Sequence, residues 1–392
     1  MSFFSFKKKE PELHLLFDFD SGSIGVGLFR KEGDALSMIF AARYPLPHSY
    51  LRPKTRFFAE VKKVFVHALL EAKKHGAVHA STVLCILGSP LSVSHVRRAE
   101  AHFSDRALVS EQTQKDMIEG AVLSFKKEVA ESFDVDEEVP KFTLLDEEHL
   151  AYRANGYSIE TLVGQKAQMI ALDLLLSVTP AAFNTMLEET VRAEFPRAVL
   201  SSKARAFALF QTLSSSTALG DLVIVDVAAH DVELVVVREG RISEIGTFPF
   251  GKEVVLRLLG KELGCEKEVV SSTLLATHAG AVSTEERMRC ALALGKTREE
   301  LVAKFHELLG EISELYLVPK QFLLFAPPEL RDFYTSFFQD PSFRQFNIEN
   351  TAFETVLPST IYPHPFFGVE PSVKPDDLLT WEAGAVVHSL FG

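Results

Sequence analysis

Leu13-His14-Leu15-Leu16-Phe17-Asp18-Phe19 runs into Asp20-Ser21-Gly22-Ser23 and returns through Ile24-Gly25-Val26-Gly27-Leu28-Phe29. A nearly unbroken apolar run, a short polar turn and a second apolar run predict a buried strand, a tight turn and an antiparallel partner. Lys31–Asp34 makes a further turn and Leu36–Ala41 a third strand. The pattern returns about 200 residues later and is the chain's internal repeat. Leu222–Val227 is again a buried strand carrying an Asp near its end, Ala228–Asp231 is the turn, and Val232–Arg238 is the returning strand. Glu239-Gly240 turns the chain into a third strand, Ile242–Phe250.

Outward from these two meanders, Thr55–His75 has helical period, with Phe58, Val61, Phe65, Leu69 and Ala72 on one face and Gly76 as its stop. Thr82–Leu87 is a short buried strand. From 89 to 178 the texture changes to a strand–helix–strand–strand unit. Val93–Phe103 is its first strand, and a helix capped by Ser110 runs to Glu131. Phe142–Leu145, His149–Asn155 and Gln168–Ser177 are further strands, with Asn155-Gly156 as a turn. Pro180–Glu194 and Ser202–Leu213 read as helices. After the second meander, Gly251 opens a helix to Leu263, and Glu266–Thr277, Glu285–Leu294, Arg298–Tyr316 and Glu329–Phe338 follow. Phe322–Phe325 is a strand before Pro327-Pro328, Pro358–Pro375 a structured loop, and Asp377–Leu390 a closing helix.

The 392 residues suffice for two or three domains without disulfides or a structural metal. Cys85, Cys265 and Cys290 form no zinc or disulfide pattern. No apolar run has the length of a membrane span. With 41 Lys+Arg against 53 Asp+Glu, the charge of −12 argues against nucleic-acid binding. The 32 Phe against 7 Tyr and 1 Trp predict heavily aromatic cores, including Phe333–Phe353. The start of the chain sets Phe3, Phe4 and Phe6 beside Lys7, Lys8 and Lys9, a pairing of inserting rings and cations suited to peripheral contact with an anionic membrane; a frayed terminus is the alternative. His75 and His79 are separated by Gly76 and predict no metal site, and Asp136–Glu138 and Asp146–Glu148 read as solvated charge.

A strand ending in Asp, a tight turn and a returning strand is a way to hold a phosphate and its Mg²⁺: the Asp faces the metal through water and the turn amides face phosphate oxygens. At these residues the chain resembles the actin-like ATPase superfamily, which includes Hsp70, sugar kinases and actin, and within it the bacterial FtsA and PilM group. Leu15–Arg30 is similar to the first phosphate motif and Leu222–Val237 to the second. Thr247-Phe248-Pro249-Phe250-Gly251 looks like the segment that opens the next helix, and Phe322–Tyr334 stands where the adenosine motif belongs. Tyr152–Tyr157 resembles a segment of the inserted subdomain of FtsA, and Pro363–Phe367 with the last helix looks like the end of PilM.

The resemblance implies an α/β, two-lobed actin-like fold, a ribonuclease H-like repeat. Lobe I would be 1–215, interrupted by the inserted subdomain 89–178, and lobe II 216–392, with the last helix packing back toward the first lobe. The nucleotide cleft would be lined by Asp18, Ser21, Gly22, Ser23, Asp226 and Gly251, with Asp18 and Asp226 facing Mg²⁺ if ATP binds. The motifs depart from the family where backbone must approach phosphate. Asp20, Ala228, Lys252 and Ala326-Pro327 replace glycines, so weak or absent ATP hydrolysis is expected. The resemblance further implies a cytoplasmic adaptor at the inner membrane face. A PilM-like protein joins the cytoplasmic tail of a bitopic membrane partner to a type IV pilus assembly platform, with homo-oligomers possible. An FtsA-like cell-division adaptor is the alternative; since the chain stops at Leu390-Phe391-Gly392, just after the closing helix, the pilus role is preferred. An active actin-like ATPase or sugar kinase, with Asp231 as its nominee for catalysis, is the reading from another class.

Overall fold

The computed structural model describes residues 12–33, 35–46, 54–132, 141–215, 220–313, 317–360 and 367–391. The Phe/Lys segment at residues 3–9, the acidic run 134–138 and residues 363–366 lie outside them. Along the chain the elements are β1 (Glu12–Phe19), β2 (Ser23–Glu32), β3 (Ala35–Pro45), α1 (Lys54–Lys74), β4 (Ala80–Leu87), β5 (Val93–Leu108), α2 (Glu111–Ser132), β6 (Phe142–Ala154), β7 (Tyr157–Ile159), β8 (Lys166–Pro180), α3 (Ala181–Glu194), β9 (Val199–Ala204) and α4 (Arg205–Ser214). They continue as β10 (Leu222–Val227), β11 (Val232–Arg238), β12 (Arg241–Phe248), α5 (Lys252–Leu263), α6 (Lys267–His278), α7 (Thr284–Ile312), β13 (Gln321–Phe325), α8 (Arg331–Phe338), β14 (Glu354–Val356), β15 (Phe367–Val369) and α9 (Asp377–Phe391).

The internal repeat is a repeat of topology. One sheet has the order β15-β3-β2-β1-β4-β9 and another β12-β11-β10-β13-β14. In each, the opening strand pairs antiparallel with the strand that follows and parallel with a later one, β1 with β4 and β10 with β13. These are the two lobes of an α/β fold. The opening strands lie centrally and are buried on both faces, which is why they are apolar without alternation. Helices α1 and α3 cover one face of the first sheet through Phe57, Val61, Phe65, Phe183 and Leu187. In the second lobe, α5, α7 and α8 supply Val255, Leu301, Phe305 and Phe337, and Phe333, Phe337, Phe338, Phe343, Phe346 and Phe353 are all buried there. Between the lobes run α4 and α9. Phe207, Leu209 and Trp381 pack on the second sheet, while Ala208, Leu379, Ala383 and Val386 pack on the first.

The insertion is a separate antiparallel sheet, β5-β8-β6-β7, with α2 against it through Phe125 and Val129. Ser110 Oγ accepts from the Thr113 amide at 3.1 Å, the predicted cap.

Four expectations are corrected. Phe142–Leu145 and His149–Asn155 are one strand, β6, continuous through irregularities at Leu144/Asp146 and His149/Ala151. The two helices expected over 285–316 are one, α7, because Gly295 sits within the helix at modest cost while the flanking apolar residues keep their face buried. Residues 199–204 are a strand, not the start of a helix. Paired with β4 at the sheet edge, β9 has Ser201, Ser202 and Lys203 interrupting its apolar residues. Lobe II, read as 216–392, gives up β15, which pairs with β3 in the lobe I sheet; α9 packs back on that sheet, as expected.

Candidate functional site: the cleft between the lobes

The ends of β1 and β10 point their carboxylates toward one another, and a single side chain stands between them. Arg205, the first residue of α4, is fully buried. Its Nη1 donates to Asp226 Oδ2 at 2.8 Å, its Nε to Glu382 Oε1 at 3.2 Å, and its Nη2 to Asp18 Oδ1 and to the Phe19 carbonyl at 3.2 Å. A cation at a helix N-terminus opposes the helix dipole. The carboxylates, not the helix, therefore hold it there. Space for the guanidinium exists because residue 88 is glycine: a Cβ at Gly88 would lie 2.3 Å from Arg205 Nη1. The strand–helix corner that aims Arg205 inward is fixed by Asp146, whose buried carboxylate accepts from the Ala204 amide at 2.8 Å. Asp146 is thus no solvated charge, and burial pushes its carboxyl up to about 6.

Asp18 has a second cation. Arg43 Nη2 donates to its Oδ2 at 2.7 Å, while Arg43 Nε reaches Asp376 at 2.6 Å and Nη1 reaches Ser23 Oγ at 3.0 Å. Although burial works to raise the Asp18 carboxyl, the guanidinia of Arg205 and Arg43 hold it below its ordinary value. Asp226 goes the other way: burial outweighs its Arg205 bond and raises it. Directly across the ladder from Asp226, Glu233 is buried and pushed up to about 8 by desolvation and by Asp226. Glu382, from the middle of α9, is raised well above its usual range by burial and Asp18, and its Oε2 finds no partner among the described residues.

The turns themselves are in contact. A Cβ on Gly22 would come within 2.7 Å of Ala229 Cβ, so the first hairpin touches the second. Ser21 is buried, and its amide donates to the Asp20 carboxylate at 2.6 Å, so the extra acid of the first turn consumes an amide that would face phosphate. Ser89 Oγ donates across the cleft to Asp231 Oδ2 at 3.1 Å, and Asp231 thereby serves as a lobe contact. Gly251 begins α5 with its amide on the His230 carbonyl at 2.8 Å. Between the segment that opens α5 and the one expected to carry the adenosine motif, Lys252 Nζ pairs with the buried Glu329 at 2.5 Å, and Ser271 Oγ donates to the same carboxylate at 3.2 Å.

Of the expected site residues, Asp18, Gly22 and Asp226 thus meet at the cleft, Ser21 and Ser23 are spent on Asp20 and Arg43, and Gly251 packs against the second turn, where a Cβ would lie 2.5 Å from the Ala228 carbonyl oxygen. Among the described residues, no group of three or more His, Cys, Asp or Glu is arranged to hold a metal. The residues present do not fit a metal-bound nucleotide: a guanidinium occupies the space between the two aspartates, and the turns are in contact. Sequence reading missed Arg205, Arg43 and Glu382. The one legible signal was Glu382, a lone charge within the apolar run Trp381–Val387, since a charge in an apolar stretch needs a buried partner.

Fold and cleft together define a chain with the actin-like ATPase fold whose cleft is filled by its own side chains. No protein-family model matches the sequence, and no curated protein matches it. Among solved structures it is similar to PilM in a PilM–PilN type IV pilus biogenesis complex, with a TM-score of 0.61 and 12% identity over 96% of this chain and 97% of that one. It also matches the ethanolamine utilization protein EutJ from Carboxydothermus hydrogenoformans, with a TM-score of 0.47 and 8% identity over 97% of this chain and 90% of that one. The fold is therefore PilM-like, as the resemblance implied. Among the described residues, no helix is long and apolar enough to cross a membrane.

Proposed function

We propose that this chain is a PilM-like adaptor: a cytoplasmic scaffold, peripheral at the inner face of the membrane, that joins the tail of a bitopic membrane protein to a type IV pilus assembly platform and hydrolyses ATP weakly or not at all. The observation that carries this reading is the combination of a PilM-like architecture along the whole chain with a cleft closed by Arg205. Such a protein keeps the surfaces of the fold and gives up its nucleotide chemistry.

A groove of about 410 Å³ between α3, β9 and the start of β6 offers a place for an extended tail. Asn184, Glu188 and Arg192 supply polar and charged contacts along it. β9 is the free edge of its sheet, and an extended segment can add to such an edge through main-chain hydrogen bonds.

The test is calorimetric titration of the full chain with the cytoplasmic tail peptides of bitopic membrane proteins encoded beside its gene. Saturable binding of a pilus-assembly tail, weakened about tenfold by Arg192→Glu, is the expected result. Binding only to division proteins would transfer the reading to an FtsA-like role. Binding to no tail, together with micromolar Mg²⁺-dependent ATP affinity, would replace it with an active ATPase or sugar kinase.

A further inference from the structure

We propose that Arg205 is a tethered cation that holds the interlobe cleft shut permanently, standing between Asp18 and Asp226 where a divalent metal would otherwise sit, so that closure of the lobes is independent of nucleotide. This inference deepens the weak-hydrolysis part of the adaptor reading; the rescue and triple-variant outcomes test it without reference to tail binding.

The geometry supports it at each atom. All three nitrogens of the guanidinium are used, one toward β1 of the first lobe, one toward β10 of the second and one toward α9. A planar fork can satisfy several carboxylates at fixed directions, which a flexible ammonium cannot do. Arg43, on the far oxygen of Asp18, adds a second positive charge, so the two guanidinia together bring the charge of one divalent ion. The pocket is built around the group: Gly88 leaves it room and the Phe19 carbonyl takes the second donor of Nη2. The Gly22–Ala229 contact and the Ser89–Asp231 bond then set the lobes at a spacing with no space for phosphate. A metal–nucleotide complex closes a cleft by mass action and releases it when the ligand leaves. A cation on the chain itself is present at fixed effective concentration and does not leave.

The test measures melting temperature on the full chain. Mg·ATP is expected to leave the wild type unmoved, because its site is filled. Arg205→Ala is expected to melt about 5–10 °C lower and to recover part of that loss with millimolar methylguanidinium, which should not raise the wild type. Arg205→Lys, which keeps the charge without the fork, is expected to fall between them. Should Arg205→Ala not fold, Arg205→Met alone is compared with Arg205→Met carrying Asp226→Asn and Glu382→Gln, Asp18 being left to Arg43. The triple variant is expected to fold and to be more stable than the single one, because it removes both the cation and the charges that need it. The proposal is overturned if Mg·ATP raises the wild-type melting temperature, if methylguanidinium fails to rescue a folded Arg205→Ala, or if the triple variant is no better than Arg205→Met.

Discussion

The hairpins that open the two lobes share a topology, an apolar strand and a terminal Asp, yet their carboxylates are in opposite electrostatic states. Asp18 is as buried as a side chain can be and is still held below its ordinary pKa, because two guanidinia bond it. Asp226 bonds the same Arg205 and is raised, because it has one cation rather than two and faces Asp20 and Asp18. Burial alone does not decide the charge of a carboxylate; the number of cations buried with it does. The asymmetry also places the anchor of the cleft in lobe I, with lobe II contributing the weaker grip.

The largest effect that would break this comparison is at Asp18. Asp18→Asn leaves Arg205 and Arg43 short of their shared anion and is expected to cost about 3–5 kcal/mol in denaturant unfolding at neutral pH. Because the folded carboxyl titrates below its ordinary value, the stability it contributes is present above that value and is lost as pH falls through the folded pKa. The gap between variant and wild type should therefore close on acidification. A gap that persists at low pH would show that the loss is one of packing.

Next in size is Glu233→Gln, with the opposite sign. A carboxyl whose pKa rises from 4.5 to about 8 on folding destabilises the chain increasingly between those values. The variant should match the wild type near pH 4 and exceed it by roughly 2–4 kcal/mol at pH 8. A constant difference across the range would remove Glu233 from the account. Asp226→Asn is expected to cost only about 1 kcal/mol, since a neutral amide oxygen can still accept from Arg205. A loss equal to that of Asp18→Asn would erase the asymmetry. The smallest effect is expected at Ser89→Ala, about 0.5–1 kcal/mol, from the single hydroxyl bond to Asp231.

Much of the scaffold was legible in the chain because it rests on local pattern. The two apolar strands with their Asp-bearing ends, the helical stripe through Phe58, Val61 and Phe65, and the Phe-rich second core each follow from periodicity and burial. β9 was not legible, because Ser201, Ser202 and Lys203 interrupt its apolar residues and the strand owes its form to pairing with β4. The cleft was half legible. The replaced glycines carry the expectation of a weak nucleotide site, and Asp18 and Asp226 lie near the strand ends, as read. What fills the site could not be read, because Arg205, Asp226 and Glu382 come from different elements and only the folded chain brings them together.

α9 carries a consequence for how the molecule comes into being. Asp376 caps this helix through the Leu379 amide while holding Arg43, and the helix then delivers Glu382 to Arg205 and Trp381 to the second sheet. During synthesis, β1 to β4 and β9 of the first sheet can assemble long before this helix leaves the ribosome. Until then Arg43 lacks one of its acceptors and one face of the first sheet is bare. The arrival of β15 and α9, which complete the first sheet and its cover, is thus the moment at which the cleft locks.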